Sequence, residues 1–220
     1  MLRHGTMTET AVSEIVAVLE QDIIFGRFLP KQRLYEDEFI VRFSTKRHIV
    51  RAALQELERK GIVERQPNRG AAVRYFSRSE VAALYDLRVI LHEAAARRIQ
   101  LPADSQWLSE LEAARDAHAE AVAARDLGLV FQTNTLFHRK LFEGTGNHYL
   151  SEAIETSNAK THGIRSHGLG MPSLLEKAKA EHFAMVDAVK AGDLDTLGRL
   201  CIDHMQPARA FYEEKYCGVL

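Results

Sequence analysis

The chain has 220 residues, more than one typical domain, so two compact units are expected; its formal net charge is only −1. Its 46% hydrophobic and 27% charged residues are typical of a globular protein and argue against long disorder or a fibrous repeat. No apolar run approaches the roughly 18 residues of a membrane helix. The N-terminus also lacks the apolar core of a secretion signal, so we expect a cytoplasmic protein with no membrane partner.

The first part of the chain predicts three helices and a β-hairpin. Apolar residues recur at helical spacing over 8–25, 37–43 and 46–60, with turn-forming residues between these segments. The apolar period then changes to two, which predicts a hairpin with strands over 62–65 and 71–75. Three helices and a hairpin make a winged helix-turn-helix. In that motif the third helix enters the major groove of DNA and the hairpin tip contacts the backbone or minor groove.

The sharpest local imbalance of charge falls at the third predicted helix. Residues 1–76 contain thirteen Lys and Arg against ten Asp and Glu, whereas residues 77–220 contain sixteen against twenty. Residues 42–51 contain no acid, and their basic side chains are Arg42, Lys46, Arg47, His48 and Arg51. Such a cluster suits a polyanion such as double-stranded DNA, although a charge run can also be a solvated helix face.

From residue 77 onward the pattern is helical almost throughout. Ser77 and Glu80 have capping-box spacing, so a helix follows the hairpin directly and a domain boundary is expected after residue 76. Six helices are predicted, over 79–100, 104–125, 129–143, 148–162, 173–191 and 193–216. Glycines between the fourth and fifth mark a loop or a broken helix end. The expected fold is therefore mainly α, with a winged helix-turn-helix domain over 1–76 and an all-α antiparallel six-helix bundle over 77–220.

Three spaced motifs in the first part resemble those of a known family, the GntR-type bacterial transcription regulators. The motifs are Pro30-x-x-Arg33-Leu34-x-Glu36, Arg47-x-x-Val50-Arg51-x-Ala53-Leu54-x-x-Leu57-x-x-x-Gly61 and Arg69-Gly70-Ala71-x-Val73. The helical second part resembles the FCD effector domain of the FadR subfamily, and six helices suit its VanR-like branch. The resemblance implies a DNA-binding regulator, more commonly a repressor than an activator. It also implies a homodimer on a pseudo-palindromic operator, with matching two-fold symmetry.

The resemblance and the charge pattern together assign the DNA contacts. The candidate DNA-binding residues are Arg42, Lys46, Arg47, His48, Arg51, Arg69 and Gly70. In the family, residues at the positions of Arg47 and Arg51 contact bases or phosphates, with His48 beside them. Arg69 and Gly70 belong to the wing.

Two departures from the family pattern lie at the expected DNA surface. Lys46 stands where the family usually has Ser, which removes a helix-capping hydroxyl and leaves Ser44 or Thr45 to cap the third helix. Asp37 stands where some relatives have a DNA-contacting Arg. Lys46 also adds a phosphate-seeking charge at the start of the groove-facing helix, so an unusual operator preference is expected, whereas Asp37 argues against a family-like DNA contact from the second helix.

The second part also matches the metal-ligand pattern of FCD domains. Asn134 and His138 are four residues apart and share a helix face, while His182 and His204 lie on the fifth and sixth predicted helices. In FCD domains an Asp or Asn and three His in this order supply four metal ligands, so the resemblance implies this set. Three neutral imidazoles with an amide oxygen suit a divalent transition metal ion such as zinc or nickel.

A small carboxylate effector is implied at the same site. Arg88 matches an early arginine of the family that can pair with the carboxylate, and Arg165 is a second candidate. Structural alternatives stay open: a hydrogen-bonded core position for each His, and a salt bridge within the bundle for Arg88. Buried packing is expected for Cys201, and surface exposure for His162 and His167.

Two other functions are compatible with the three histidines. A metal-dependent enzyme would activate water on the ion, but its nearest candidate bases, Glu181 and Asp203, directly precede ligand histidines and are expected on other helix faces. Alternatively, the metal would be purely structural in a regulator. No Ser-His-Asp pattern or phosphate-binding glycine loop is evident. We therefore expect that the protein is not an enzyme but a DNA-binding regulator that senses a small organic acid.

Overall fold

Helices dominate the computed structural model, which describes residues 3–66 and 70–218 and places side chains over 9–65 and 70–218. The chain divides into two compact units between Phe76 and Ser77. No described helix is both long and apolar enough to cross a membrane.

The first unit contains three helices and a small antiparallel sheet. The helices are α1 (Arg3–Ile24), α2 (Glu36–Arg42) and α3 (Arg47–Arg59), and the strands are β1 (Arg33–Leu34), β2 (Val63–Gln66) and β3 (Gly70–Val73). The strand order is β1-β3-β2, so the predicted hairpin is present and β1 adds an edge strand. The winged helix-turn-helix prediction is confirmed. The sequence did not predict β1, because two residues are too few to show a period of two.

An apolar stripe along α3 anchors the core of this unit. The buried residues of the stripe are Ile49, Val50, Ala53, Leu54 and Leu57. They pack with Leu19 and Ile23 of α1 and with Val73 of β3. Because the stripe occupies one side of α3, the basic residues of that helix are left on the opposite side.

The N-terminus of α3 has no side-chain cap. Lys46 is the N-cap residue, and no side chain accepts a hydrogen bond from the first amides. The prediction that Ser44 or Thr45 would cap the helix is therefore wrong. Ser44 adopts a left-handed conformation with φ of 47°, which belongs to the turn between the helices and not to a capping position.

The second unit is entirely helical in its described part. Its elements are α4 (Arg78–Ala96), α5 (Ser105–Ala124), α6 (Leu127–Glu143), α7 (His148–Lys160), α8 (His162–Ser166), a 3-10 turn (His167–Gly170), α9 (Pro172–Ala191), α10 (Leu194–Asp203) and α11 (Gln206–Tyr216). The predicted capping box is present, since the Ser77 hydroxyl accepts a 3.2 Å hydrogen bond from the amide of Glu80. Buried side chains of α5, α6, α9 and α10, among them Leu111, Phe137 and Met185, form the core.

The sixth predicted helix is two helices, α10 and α11, that meet at His204 and Met205. Pro207 lies in the first turn of α11. Proline has no backbone N–H, and its ring clashes with the carbonyl four residues earlier, so a continuous helix through 203–207 is disfavoured. The break places His204 at the C-terminal end of α10.

The glycine-rich segment predicted as a loop or broken helix end is instead the short α8 followed by the 3-10 turn. The surface exposure predicted for His162 and His167 is wrong, because their exposed fractions are 5% and 3%. The ring of His162 stacks on Phe131 with centroids 3.8 Å apart, and the ring of His167 lies 4.7 Å from that of Tyr216. Aromatic partners from distant parts of the chain bury both imidazoles, and no local pattern signals such partners.

Burial of His167 makes the second unit sensitive to acid. Desolvation, together with the charge of Lys215, lowers the pKa of His167 from 6.5 to about 4. The unfolded chain therefore takes up this proton more readily than the folded chain. The stabilising contribution is complete above about pH 6.5 and is lost as pH falls toward 4.

We expect His167→Phe, which keeps an aromatic ring at this position, to reduce the acid sensitivity of folding. Between pH 7 and pH 5 the wild-type free energy of unfolding should fall by on the order of 2 kcal/mol more than that of the variant. Urea titrations followed by the fluorescence of Trp107, the single tryptophan of the chain, report on this unit. Equal acid-induced losses in both proteins would contradict the assignment.

Candidate functional site

The exposed side of α3 carries the candidate DNA-binding residues of the first unit. Arg47, His48 and Arg51 are all exposed, on the side opposite the buried stripe. Lys46 is exposed as the N-cap residue of the same helix. The structure thus brings four of the predicted residues together at one helix end.

Two acids of α2 hold the arginines of α3. Arg47 Nη2 donates a 2.5 Å hydrogen bond to Asp37 Oδ1, and Arg47 Nη1 donates to Glu36 Oε2 at 3.3 Å. Arg51 Nε donates to the same Glu36 carboxylate at 3.0 Å. Arg65 of β2 lies 4.0 Å from Glu36. These contacts limit the orientations of both α3 guanidinium groups before any ligand is bound.

The other predicted DNA contacts are distributed differently. Arg42 donates from Nη1 to the buried carboxylate of Asp22 on α1, which also accepts a 2.7 Å hydrogen bond from Arg27. This ion pair ties the end of α2 to α1. Gly70 begins β3 with φ of 80°, a conformation that side-chain-bearing residues rarely adopt. Arg69 lies outside the described residues.

Three histidines of the second unit form a compact cluster of nitrogen donors. His138 of α6, His182 of α9 and His204 at the end of α10 each offer a ring nitrogen, and these atoms lie within 4.8 Å of one another. The Nε2 atoms of His138 and His204 are 3.1 Å apart. Nitrogens bound to one zinc ion at about 2.0–2.1 Å in a tetrahedron are roughly 3.3 Å apart. The separation of His138 and His204 is thus close to what a shared ion requires, and the nitrogen of His182 lies within 4.8 Å of both.

Burial favours the neutral form of two of the cluster imidazoles, those of His138 and His182. His182 is fully buried, both of its ring nitrogens lack a hydrogen-bond partner, and Phe137 stacks on its ring at 4.0 Å. Desolvation, followed by the charge of His204, lowers the pKa of both His138 and His182 well below 6.5. A neutral imidazole has a free lone pair, which is the form that binds a metal ion.

Glu181 contacts this cluster, which corrects the expectation that it would point to another face. His204 Nδ1 donates a 2.8 Å hydrogen bond to Glu181 Oε2, and Lys177 Nζ lies 3.0 Å from Glu181 Oε1. Burial alone would raise the pKa of Glu181, but the hydrogen bond and charge of His204, with those of Lys177, lower it below the usual value. The expectation failed because α10 approaches α9 from the side on which Glu181 lies. Asp203, in contrast, is exposed.

A cavity of about 90 Å³ lies beside the cluster and is lined by Asn134, His138, His204, Arg88 and Arg165. All but one of the predicted metal and effector residues thus meet at one cavity, and His182 lies directly behind it against His138. Within 9–65 and 70–218, no carboxylate lies within 4.0 Å of the guanidinium group of Arg88 or Arg165. The alternative of a bundle salt bridge for Arg88 is therefore not supported. Its Nε donates instead to Asn158 Oδ1 at 3.1 Å.

Sequence analysis missed three buried polar residues near the cluster. Tyr85 and His92 lie on α4 three residues before and four after Arg88, so all three share a helix face. His118 of α5 lies 4.6 Å from His182, ring to ring, and its Nδ1 is 3.2 Å from Thr133 Oγ1. The spacing on α4 was a usable signal, whereas nothing local indicated His118.

Cys201 is buried in the core of the unit, as expected. Desolvation raises the pKa of its thiol from 9.0 to about 12. A thiol with that pKa stays protonated at neutral pH, and only the thiolate is a good metal ligand. The cluster is therefore a set of nitrogen donors without a sulfur.

Comparisons with known proteins agree with the two-part organisation. Residues 11–73 match the model for bacterial regulatory proteins of the gntR family, and residues 83–207 match the model for the FCD domain. The chain is 25% identical over 199 residues to the HTH-type transcriptional repressor RspR of Escherichia coli (strain K12), covering 90% of this chain and 87% of that protein. It is 24% identical over 208 residues to the galactonate operon transcriptional repressor of the same organism, covering 86% and 91%.

A solved structure shares the fold. The structure of E. coli McbR/YncC has a TM-score of 0.62 at 18% identity, covering 94% of this chain and 98% of that one. At that identity the likeness shows the fold alone.

Proposed function

Because this chain belongs to the GntR family of bacterial regulatory proteins and carries an FCD domain, we propose that this transcription regulator is a repressor that senses a small organic acid at a metal ion. The relatives are named as transcription regulators, and both domains belong to families of such regulators. The protein is therefore not an enzyme. Two relatives are named as repressors, which supports repression here. The proposal places the protein in the cytoplasm, where a bacterial regulatory protein would meet its operator.

The observation that carries the sensing proposal is the convergence on one cavity of histidine side chains and of guanidinium groups without a carboxylate partner. The three histidine nitrogens lie within 4.8 Å of one another, and the carboxylate of Glu181 orients His204. These residues fit a divalent transition metal ion such as zinc or nickel, with the amide oxygen of Asn134 as a fourth ligand. A bound ion would supply a Lewis-acidic position for a carboxylate oxygen.

The cavity beside the histidines favours a sensor over a purely structural metal. A structural site is closed by protein ligands, whereas a sensing site needs space for the effector next to the ion. Arg88 and Arg165 line this space and carry the charge that a small carboxylate would neutralise. Effector binding would release DNA only if it favours a dimer state with lower operator affinity.

The DNA-binding proposal assigns operator contacts to the exposed end of α3. The wing, which contains Arg69 and Gly70, would contact the neighbouring DNA backbone. A homodimer would place two such helices on the half-sites of a pseudo-palindrome. Leu87 and Ile90 of α4 and Tyr149 of α7 are exposed apolar side chains of the second unit that a second copy would cover.

Arg47→Ala should weaken binding to the operator by about 1–3 kcal/mol and relax base preference at one position in each half-site. The operator is first identified by sequencing the genomic fragments that the protein retains at moderate salt. Arg59→Ala is the matched control, because Arg59 ends the same helix and pairs with Glu56. Fluorescence anisotropy at fixed salt measures both variants, and unchanged operator affinity in Arg47→Ala would contradict the proposed docking.

Asp37→Asn should increase affinity for DNA of random sequence. The change releases Arg47 from its shortest ion pair and removes a negative charge from the DNA-facing side, so the slope of log K against log salt should steepen by about one. Glu38→Gln is the control, since it changes net charge equally at the next residue and Glu38 is exposed. If both variants shift affinity equally, net charge and not the contact to Arg47 explains the effect.

His182→Ala should abolish stoichiometric metal binding and the response to effector while leaving operator binding intact. Elemental analysis measures the metal content, and His148→Ala, an exposed position in the same unit, is expected to retain it. If His182→Ala does not fold, His204→Gln tests the same ligand set at a less buried position. Unchanged metal content in the ligand variant would show that the site is misassigned.

A further inference from the structure

Two positively charged groups lie at one place in the second unit, one of them buried and the other partly buried. Arg88 is only 4% exposed and donates from Nε to Asn158 Oδ1, while Arg165 donates from Nη2 to the main-chain oxygen of the same residue at 3.4 Å. Nη1 of Arg88 and Nε of Arg165 are buried without a hydrogen-bond partner. Asn158 is neutral, so these contacts hold the two cations in place without compensating their charge.

Burial beside a second cation also affects the pKa of Arg165. Desolvation and the charge of Arg88 lower the pKa of Arg165 from 12.5 to about 9. The group remains protonated at neutral pH. An uncompensated buried charge strongly opposes folding, so an arrangement of two such charges is explained best by an anion that binds between them.

The surrounding polar atoms are also mostly donors. The hydroxyl of Tyr85 and both ring nitrogens of His92 are buried without hydrogen-bond partners, and both residues share the α4 face of Arg88. A guanidinium group only donates, a hydroxyl can donate, and a neutral imidazole donates from one nitrogen. Of these groups only the arginines line the cavity, and acceptor oxygens of a ligand would satisfy the unpartnered Nη1 of Arg88 and Nε of Arg165, whereas a cationic ligand would not.

The cavity lining itself supplies little negative charge. Glu181 is the one acid in the lining, and it is already bound to Lys177 and His204. Asn134 contributes a neutral amide. The cavity of about 90 Å³ has room for several waters at roughly 10–15 Å³ each, so it limits the ligand to a small acid.

We propose that the effector is a small dicarboxylate, with one carboxylate between Arg88 and Arg165 and the other at the three histidines. This inference rests on the proposed function, because the second carboxylate needs the metal position. It goes further by assigning two negative charges to the ligand. A monocarboxylate would bring one negative charge to two guanidinium groups and the ion, whereas a dicarboxylate brings two.

Matched pairs of acids test the charge requirement. Zinc-loaded and nickel-loaded protein is titrated calorimetrically with butyrate and succinate, and with pentanoate and glutarate, which differ within each pair by one carboxylate at equal chain length. At least one diacid should bind about 10- to 100-fold more tightly than its monoacid partner, since charge-assisted hydrogen bonds of this strength are gained. Equal affinities in both pairs, or binding of neither diacid, would overturn the inference.

Arg165→Met tests which residues carry the preference. The variant should lose most of the diacid advantage and bind the monoacid as the wild type does, with unchanged metal content. Arg139→Met is the control, because Arg139 is half exposed and lies near Glu143. The ligand-free Arg165→Met protein should melt at the wild-type temperature or higher, because the substitution removes a charge that no carboxylate compensates. Arg88→Met provides an independent second variant.

The outcomes separate this inference from the sensing proposal. Metal-dependent binding of monoacids and diacids with equal affinity would overturn the dicarboxylate assignment and leave the metal-site sensor standing. If the wild-type protein binds no metal under any loading condition, that result would instead contradict the sensing proposal. A diacid preference that persists in both Arg165→Met and Arg88→Met would overturn the placement of the second carboxylate.

Discussion

The candidate site of the helical unit depends on holding three imidazoles close together, two of them buried in the core. His138, His182 and His204 come from three different helix segments, and their nitrogens lie within 4.8 Å. Desolvation holds the first two in the neutral form that a metal ion requires. Because side chains turn by about 100° per residue along a helix, a shift of one residue in α6, α9 or α10 would remove a donor from the cluster.

The arginines of the two units differ in exposure and in their partners, which fits ligands of different kinds. Arg47 and Arg51 are exposed and already paired with acids of α2, so a phosphate backbone must compete with Glu36 and Asp37 for them. Arg88, in contrast, is buried and paired with a neutral amide. Exposed, exchangeable ion pairs suit a large polyanion, and a buried cation without a carboxylate partner suits a small anion.

Local periodicity predicted most elements correctly but failed wherever a distant segment decided the outcome. The stripe on α3 and the capping box at Ser77 depend on neighbours within one or two turns, and both are present. His167 is buried because α11 brings Tyr212 and Tyr216 against it. Glu181 meets His204 because Pro207 ends the preceding helix and sets where α10 stops.

The sequence alone determined the two-part organisation, the helices and hairpin, and the residue types of both candidate sites, since these follow from spacing along the chain and from a family pattern. Only the tertiary structure decided which charges are compensated. It paired Arg47 with Asp37 and left Arg88 and Arg165 without a carboxylate among the described residues. Compensation depends on the distance between groups far apart in sequence, and that distance is a property of packing and not of any local pattern.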